Sequence, residues 1–251
     1  MGTPELSLGG KVAIITGSSG GIGRTLALGF AEAGASVVLV ARTAAELEAA
    51  ADQIRAKGGK ALAVPTDVTD GARVSEMVAR AVKEFGRIDV LVNCAGGANY
   101  MPLLDMGQEV WGETLALNIT GVYLCSRAAG RVMVEQKSGS IINFSSAVAT
   151  AVVANMVHYS AAKAAVNQFT RVLAAEWGPY NIRVNAISPG LTDTSHTREV
   201  MGPDLFELYA KAVPLGRAGQ PEDILGVAIF LASDVSSYIS GAIIPVSGGP
   251  Q

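Results

Sequence analysis

Tyr159 and Lys163 stand four residues apart, and Ser146 precedes the tyrosine by thirteen. The segment Val157 to Trp177 reads as one long helix, on which positions four apart share a face one turn apart. An ammonium beside a phenol favours the phenolate, so Lys163 is expected to draw the Tyr159 pKa down from about 10 towards neutrality. A tyrosine tuned in that way can give or take a proton at physiological pH. Such a pair occurs on many helices by coincidence, so its meaning depends on what the rest of the chain places around it.

The second group of interest is Thr16-Gly-Ser-Ser-Gly-Gly-Ile-Gly23, which joins a strand pattern to a helix pattern. A dinucleotide pyrophosphate would sit there on the exposed N–H groups of the helix N-terminus, with glycines admitting the phosphates and letting the helix pack on the strand. The spacing Gly17-x3-Gly21-x-Gly23 differs from the common G-x-G-x-x-G.

These groups need a frame, and the chain supplies alternating strand and helix patterns. Strands are expected at Val12–Thr16, Ser36–Val40, Lys60–Val64, Ile88–Asn93, Gly139–Phe144, Ile182–Ile187 and Ala242–Val246. Helices are expected from the glycine turn to about Ala33, and at Thr43–Lys57, Gly71–Phe85, Gln108–Glu135, Val157–Trp177 and Pro221–Ala232. Continuous Val/Ile/Leu strands separated by helices indicate an α/β protein with a seven-stranded parallel sheet covered on both faces. No linker or repeat interrupts residues 1–251, so one domain is expected. The main irregular stretch, Pro189 to Pro214, is a candidate lid, at about 190–214.

Composition narrows the classes. Hydrophobic residues make up 49% and charged residues 16%, which excludes disorder and leaves apolar surface for subunit contacts. The net charge of −3 without a basic run argues against nucleic acid. Met1 to Gly10 lacks the pattern of a secretory signal, and no apolar stretch free of charge and glycine reaches membrane-spanning length. Cys94 and Cys125, both in elements expected to be buried, suit a reducing cytoplasm, and two cysteines with two histidines at no ligand spacing give no metal site.

Taken in order, Thr16, Gly17, Gly21 and Gly23, Asp67-Val68, Asn93-Cys-Ala-Gly96, Asn118, Ser146, Tyr159 with Lys163, and Pro189-Gly190 with Thr194 resemble the short-chain dehydrogenase/reductase family over essentially the whole chain. Three departures are visible: Cys94 where a second Asn is usual, Ser247 where an Asp is common before Gly248-Gly249, and the extra Gly20. The resemblance implies a doubly wound, Rossmann-like domain that moves hydride between a nicotinamide cofactor and a ketone or secondary alcohol. Tyr159 would be the proton donor in reduction, Ser146 would hold the same oxygen, and Lys163 would tune Tyr159 and hold the ribose. Asn118 would anchor a water chain to Lys163. Ser145 is the rival of Ser146, which the thirteen-residue spacing favours.

Cofactor contacts are expected from Gly17, Ser19, Gly21, Ile22, Gly23, Arg42, Asp67, Val68, Asn93, Ala95, Gly96, Tyr159, Lys163, Pro189, Gly190 and Thr194. Ala41 stands where NAD-preferring members carry Asp, and Arg42 can pair with a 2′-phosphate, so NADP(H) is favoured over NAD(H). The pocket would draw on Met101, Val148, Val153, Asn155, Met156, Leu191, Leu205 and Phe206, an apolar list that suits a moderately bulky apolar ketone. A 3-oxoacyl thioester on a carrier protein, a sugar alcohol, a steroid, or a non-enzymatic dinucleotide-binding regulator stay open. His158 is expected to be structural and His196 a solvated lid residue.

Assembly is legible as surplus apolar surface. Ala161, Ala162, Ala164, Ala165, Val166, Phe169, Leu173, Ala174 and Trp177 wrap more than one face of the catalytic helix. Trp111, Leu115, Val122 and Met133 form a second expected outer stripe, and the run Ile239 to Val246 is apolar. Two distinct patches favour a homotetramer, which the resemblance also implies.

Overall fold

The computed structural model describes residues 6–97 and 99–250; residues 1–5 of the N-terminal stretch lie outside them. Seven parallel strands form one sheet in the order β3-β2-β1-β4-β5-β6-β7. They are β1 (Val12–Thr16), β2 (Ser36–Ala41), β3 (Ala61–Pro65), β4 (Val90–Asn93), β5 (Gly139–Phe144), β6 (Ile182–Pro189) and β7 (Ile243–Val246). Among the described residues eight α-helices follow in chain order: α1 (Gly21–Glu32), α2 (Ala44–Ala56), α3 (Gly71–Phe85), α4 (Gln108–Leu115), α5 (Gly121–Gln136), α6 (Val157–Trp177), α7 (Ser195–Ala212) and α8 (Pro221–Ala232).

Strand alternation divides the core. Ala13, Ile15, Val37, Leu39, Val90 and Val92 point to the face covered by Leu26 and Phe30 of α1, Leu47 and Ile54 of α2, and Ile224 and Leu231 of α8. Val12, Ile14, Val38, Val40 and Leu91 point to the other face, against Val74 and Met77 of α3, Cys125 and Met133 of α5, and Leu173 of α6. Both faces are therefore dry, as continuous apolar strands require. The strand order reverses between β1 and β4, which opens a crevice at their C-terminal ends.

Three expectations are corrected. The fourth strand begins at Val90 rather than Ile88, because buried Asp89 accepts from the Val12 backbone N–H at 2.9 Å and from Arg87 through both carboxylate oxygens. The single helix expected over Gln108–Glu135 is interrupted by a π-turn, Ala116–Thr120. The lid is largely helical: Thr194 caps α7 by accepting from Thr197 N–H at 3.1 Å. Gly202, at φ 70° and ψ 165°, breaks α7 before Pro203, and that pair hides the helical pattern in the sequence. The other boundaries fall within a residue or two of expectation.

Candidate active site

The end of β1 is stitched to the end of β4 by one hydroxyl. Thr16 Oγ1 accepts from the backbone N–H of Cys94 at 3.0 Å and Ala95 at 3.1 Å and donates to the Val92 carbonyl at 3.2 Å. Gly17 has φ 73°, and a Cβ there would lie 2.9 Å from the Ala95 backbone. A Cβ on Gly23 would collide with the Gly17 carbonyl. Only glycine fits either position, and the result is a close-packed turn running into α1. Ser18, fully buried, ties the turn to β2 by accepting from Val40 N–H at 2.7 Å, a role its sequence position gave no sign of. Gly20 precedes α1 without a side-chain cap, so Gly21, Ile22 and Gly23 begin a helix whose first N–H groups have no side-chain acceptor at the cap; Ser19 is partly exposed beside them. This cradle suits a pyrophosphate.

The crevice rim carries Arg42 and Asp67, both exposed, with Val68 buried next to them. The Asp67 carboxyl is held below its usual range, first by the Thr69 backbone N–H and hydroxyl, at 2.9 and 2.7 Å, and least by Arg42. Pro189 ends β6, and Gly190 packs so closely that a Cβ would lie 2.8 Å from Ser247 Cα. Asn93 corrects its expected role in part. Its amide donates to Ser126 Oγ at 3.0 Å and Asn143 Oδ1 at 2.9 Å, and Asn143 donates on to Thr170 Oγ1 at 2.9 Å. The amide nitrogen is thus committed to the core beneath β4, β5 and α6.

The catalytic candidates converge above β5. Ser145 is spent on structure: its N–H donates to Ile187 at 2.8 Å and its buried hydroxyl to the Lys163 carbonyl at 3.4 Å. Ser146 instead hydrogen-bonds the Tyr159 hydroxyl. Lys163, 2% exposed, donates from Nζ to the Phe144 carbonyl at 2.8 Å and sits 5.5 Å from the Tyr159 ring centroid. Asn118, fully buried in the π-turn, donates from Nδ2 to Thr114 O at 2.9 Å and Gly97 O at 2.8 Å, and its Oδ1 accepts from Gly97 N–H at 3.1 Å. Its side-chain bond to Thr114, four residues back, takes the carbonyl that an α-helical N–H would use, and the helix widens there. Both Nδ2 protons are consumed, so any water that Asn118 anchors must donate to Oδ1 or to the backbone carbonyl.

The expected acidification of Tyr159 is overturned. Burial pushes its phenol up to about 12, with the Ser146 hydrogen bond acting in the opposite sense. Burial is also why Lys163 falls to about 8. Desolvation thus outweighs the Ser146 hydrogen bond, which leaves the Tyr159 phenol protonated, a donor, at neutral pH. Burial pushes the Cys94 and Cys125 thiols up to about 12 as well, so neither is a reactive thiolate.

The expected pocket separates into two sets. Phe206 is 2% exposed and packs with Ala210, Ala218, Leu191 and Met201 inside the lid, with the Arg198 guanidinium 4.3 Å over its ring. Phe206 and Leu191 serve packing, because the broken α7 needs a small core of its own, and Met156 is buried at the start of α6. Met101, Val148, Val153 and Leu205 stay partly exposed, and exposed Asn155 accepts from Met101 N–H at 2.8 Å. His158 is buried and bonded to the Asn99 backbone, a structural residue as expected. His196 is exposed, as expected of a lid residue, and its Nε2 lies 2.9 Å from where a Cβ on Gly97 would be.

A parallel sheet wound on both sides, with a glycine cradle at its switch point and a Ser-Tyr-Lys set beside it, defines a dinucleotide-dependent oxidoreductase. The chain belongs to the short-chain dehydrogenase/reductase family. Residues 17–251 match the family model described as enoyl-(acyl carrier protein) reductase. The chain is 43% identical to the short-chain reductase protein NovJ of Streptomyces niveus, over 95% of this chain and 93% of that one. It is 38% identical to D-threitol dehydrogenase of Mycolicibacterium smegmatis, over 98% and 94%. A structure of 7α-hydroxysteroid dehydrogenase complexed with NADH and 7-oxo glycochenodeoxycholic acid superposes with a TM-score of 0.94 at 37% identity, covering 97% of this chain and 95% of the other. Members with such different substrates share one frame, so the substrate is set by the pocket.

Proposed function

We propose that this protein transfers hydride between NADP(H) and a ketone or secondary alcohol, with Tyr159 as proton donor in the reductive direction. The observation that carries the reading is the Tyr159 hydroxyl bonded to Ser146 with buried Lys163 beside it. When bound, the nicotinamide supplies the hydride. Tyr159, protonated because burial holds it near 12, donates to the carbonyl oxygen as negative charge develops there. Ser146 fixes that oxygen from a second direction. Lys163 keeps one proton on Phe144 O and has two others to direct into the site.

Arg42 and Ala41 support NADP(H). Arg42 is exposed at the end of β2 and can fork onto a 2′-phosphate, and Ala41 presents no carboxylate to repel it. Arg42→Ala is expected to lower kcat/KM for NADPH by about ten- to a hundredfold relative to NADH, the worth of a charge-assisted contact. Ala41→Asp should move preference further towards NADH. The test is a panel of ketones, a 3-oxoacyl thioester and polyols with both cofactors. The thioester belongs there because of the family description matched above. Turnover of none of them overturns the reading, and a wild-type preference for NADH overturns the cofactor assignment.

The same reading includes a homotetramer. Ala161, Ala164, Ala165 and Val172 lie exposed along α6, and Tyr123 is exposed on α5. The second stripe is corrected, since Val122 and Met133 are buried within the subunit against the sheet. Edge strand β7 stays partly exposed. Sedimentation at micromolar concentration should give the tetramer mass; a fully active monomer would refute the assembly.

A further inference from the structure

The lid begins against the cofactor cradle and then crosses to the catalytic loop. A Cβ on Gly21 would meet Thr194 Cγ2 at 3.2 Å, and two residues later His196 reaches Gly97. The neighbouring Gly96 faces the catalytic set, since a Cβ there would lie 2.7 Å from Asn118 Oδ1 and 3.1 Å from Lys163 Nζ. Consecutive residues of one loop thus meet Lys163 and the His196 imidazole. The same loop continues to Tyr100, whose phenol is pushed up by burial and then by the exposed Tyr209 within electrostatic reach on α7. The seam between lid and loop therefore carries the His196 imidazole, with the Tyr100 phenol farther along the loop. The apolar lid side chains Phe206 and Leu191 are turned into the lid core, and Arg198 spends Nε and Nη2 on Asp193 at 2.6 and 2.7 Å. Beside the partly exposed Met101, Val148, Val153 and Leu205, the imidazole is the group that hydrogen-bonds a hydroxyl, and the guanidinium that could have captured a carboxylate is already engaged on Asp193.

On the hydride-transfer reading above, we propose that His196 is a specificity-determining residue that recognises a hydroxyl close to the reacting carbon. The substrate class is then the neutral hydroxy ketones and their vicinal diols, in place of the bulky apolar ketone expected from the sequence. A hydroxyl on the substrate pairs with the imidazole. A substrate lacking it leaves the seam's polar groups to water or unpaired, and that difference is where selectivity comes from.

The test uses a matched pair, acetoin and butanone, with the preferred cofactor. kcat/KM is measured for wild type, His196→Ala and His196→Gln, together with cofactor affinity by fluorescence. The wild type should prefer acetoin by about tenfold or more. His196→Ala should reduce that ratio by about tenfold, mainly through KM, and His196→Gln, which keeps a donor and an acceptor, should recover part of it. An equal loss on both ketones, or a loss of cofactor affinity with the ratio unchanged, would show that His196 merely supports the lid and would overturn the proposal. Reduction of both ketones by the wild type without preference would overturn it alone. Turnover of no member of the wider panel would overturn the hydride-transfer reading and this inference together.

Discussion

Tyr159→Phe is expected to lower kcat by about 100- to 10,000-fold, the range for removing a positioned proton donor. The substitution deletes one oxygen. The ring keeps its place on α6 beside Lys163, and Ser146 loses its partner but lies partly exposed, where water can replace it. Folding and cofactor affinity should therefore change little, and the loss should appear in kcat more than in KM. Thermal unfolding, cofactor titration and turnover on a ketone that the wild type reduces are the measurements. A variant within a few-fold of wild type would remove Tyr159 from the mechanism. A variant that no longer binds cofactor would mean the hydroxyl serves binding first.

Lys163→Met should combine two effects. Turnover should fall by orders of magnitude, because Lys163 is the buried cation nearest the proton donor. Stability should acquire a different pH dependence. Lys163 falls from 10.5 to about 8 on folding, with burial as the cause. Below pH 8 both states hold the proton, so the cost of burying the charge is fully present. Between about 8 and 10.5 the unfolded chain holds a proton that the folded chain lacks, so wild-type stability rises with pH across that window. The span corresponds to about 3 kcal/mol. The wild type should gain most of it between pH 8 and 10, and Lys163→Met should not. Urea unfolding of both proteins across that range reads the difference directly. Parallel curves would show that Lys163 is not depressed by burial. Wild-type reduction should also decline as pH rises through about 8, where the ammonium loses its charge.

The contrast between these two residues bears on how a sequence is read. The spacing of Tyr159 and Lys163 placed them on one face of α6, because helical periodicity fixes which side chains share a face whatever lies around them. The direction of the Tyr159 pKa shift was not legible in the same way. That sign depends on the competition between desolvation and charge attraction, and desolvation is a property of the whole packed site. Ser145 and Ser146 show the same division. Neighbours on one chain differ in role because β5 sends one inward to the Lys163 carbonyl and presents the other to Tyr159.

By itself the sequence determined the alternating elements, the parallel sheet, the glycine turn after β1 and the Tyr159–Lys163 spacing on α6, all of which rest on local periodicity and on residue types that only one backbone conformation admits. Tertiary structure alone decided the rest. It turned Asn93 into a core hydrogen-bonding residue and gave Asn118 the π-turn that clamps Gly97. It buried Val122, Met133 and Phe206 where outer or pocket surface was expected. It also carried His196, ninety-nine residues along the chain from Gly97, to the edge of the active site. Such contacts depend on how a broken helix folds back over a loop, and no short-range pattern encodes a distance between segments so far apart.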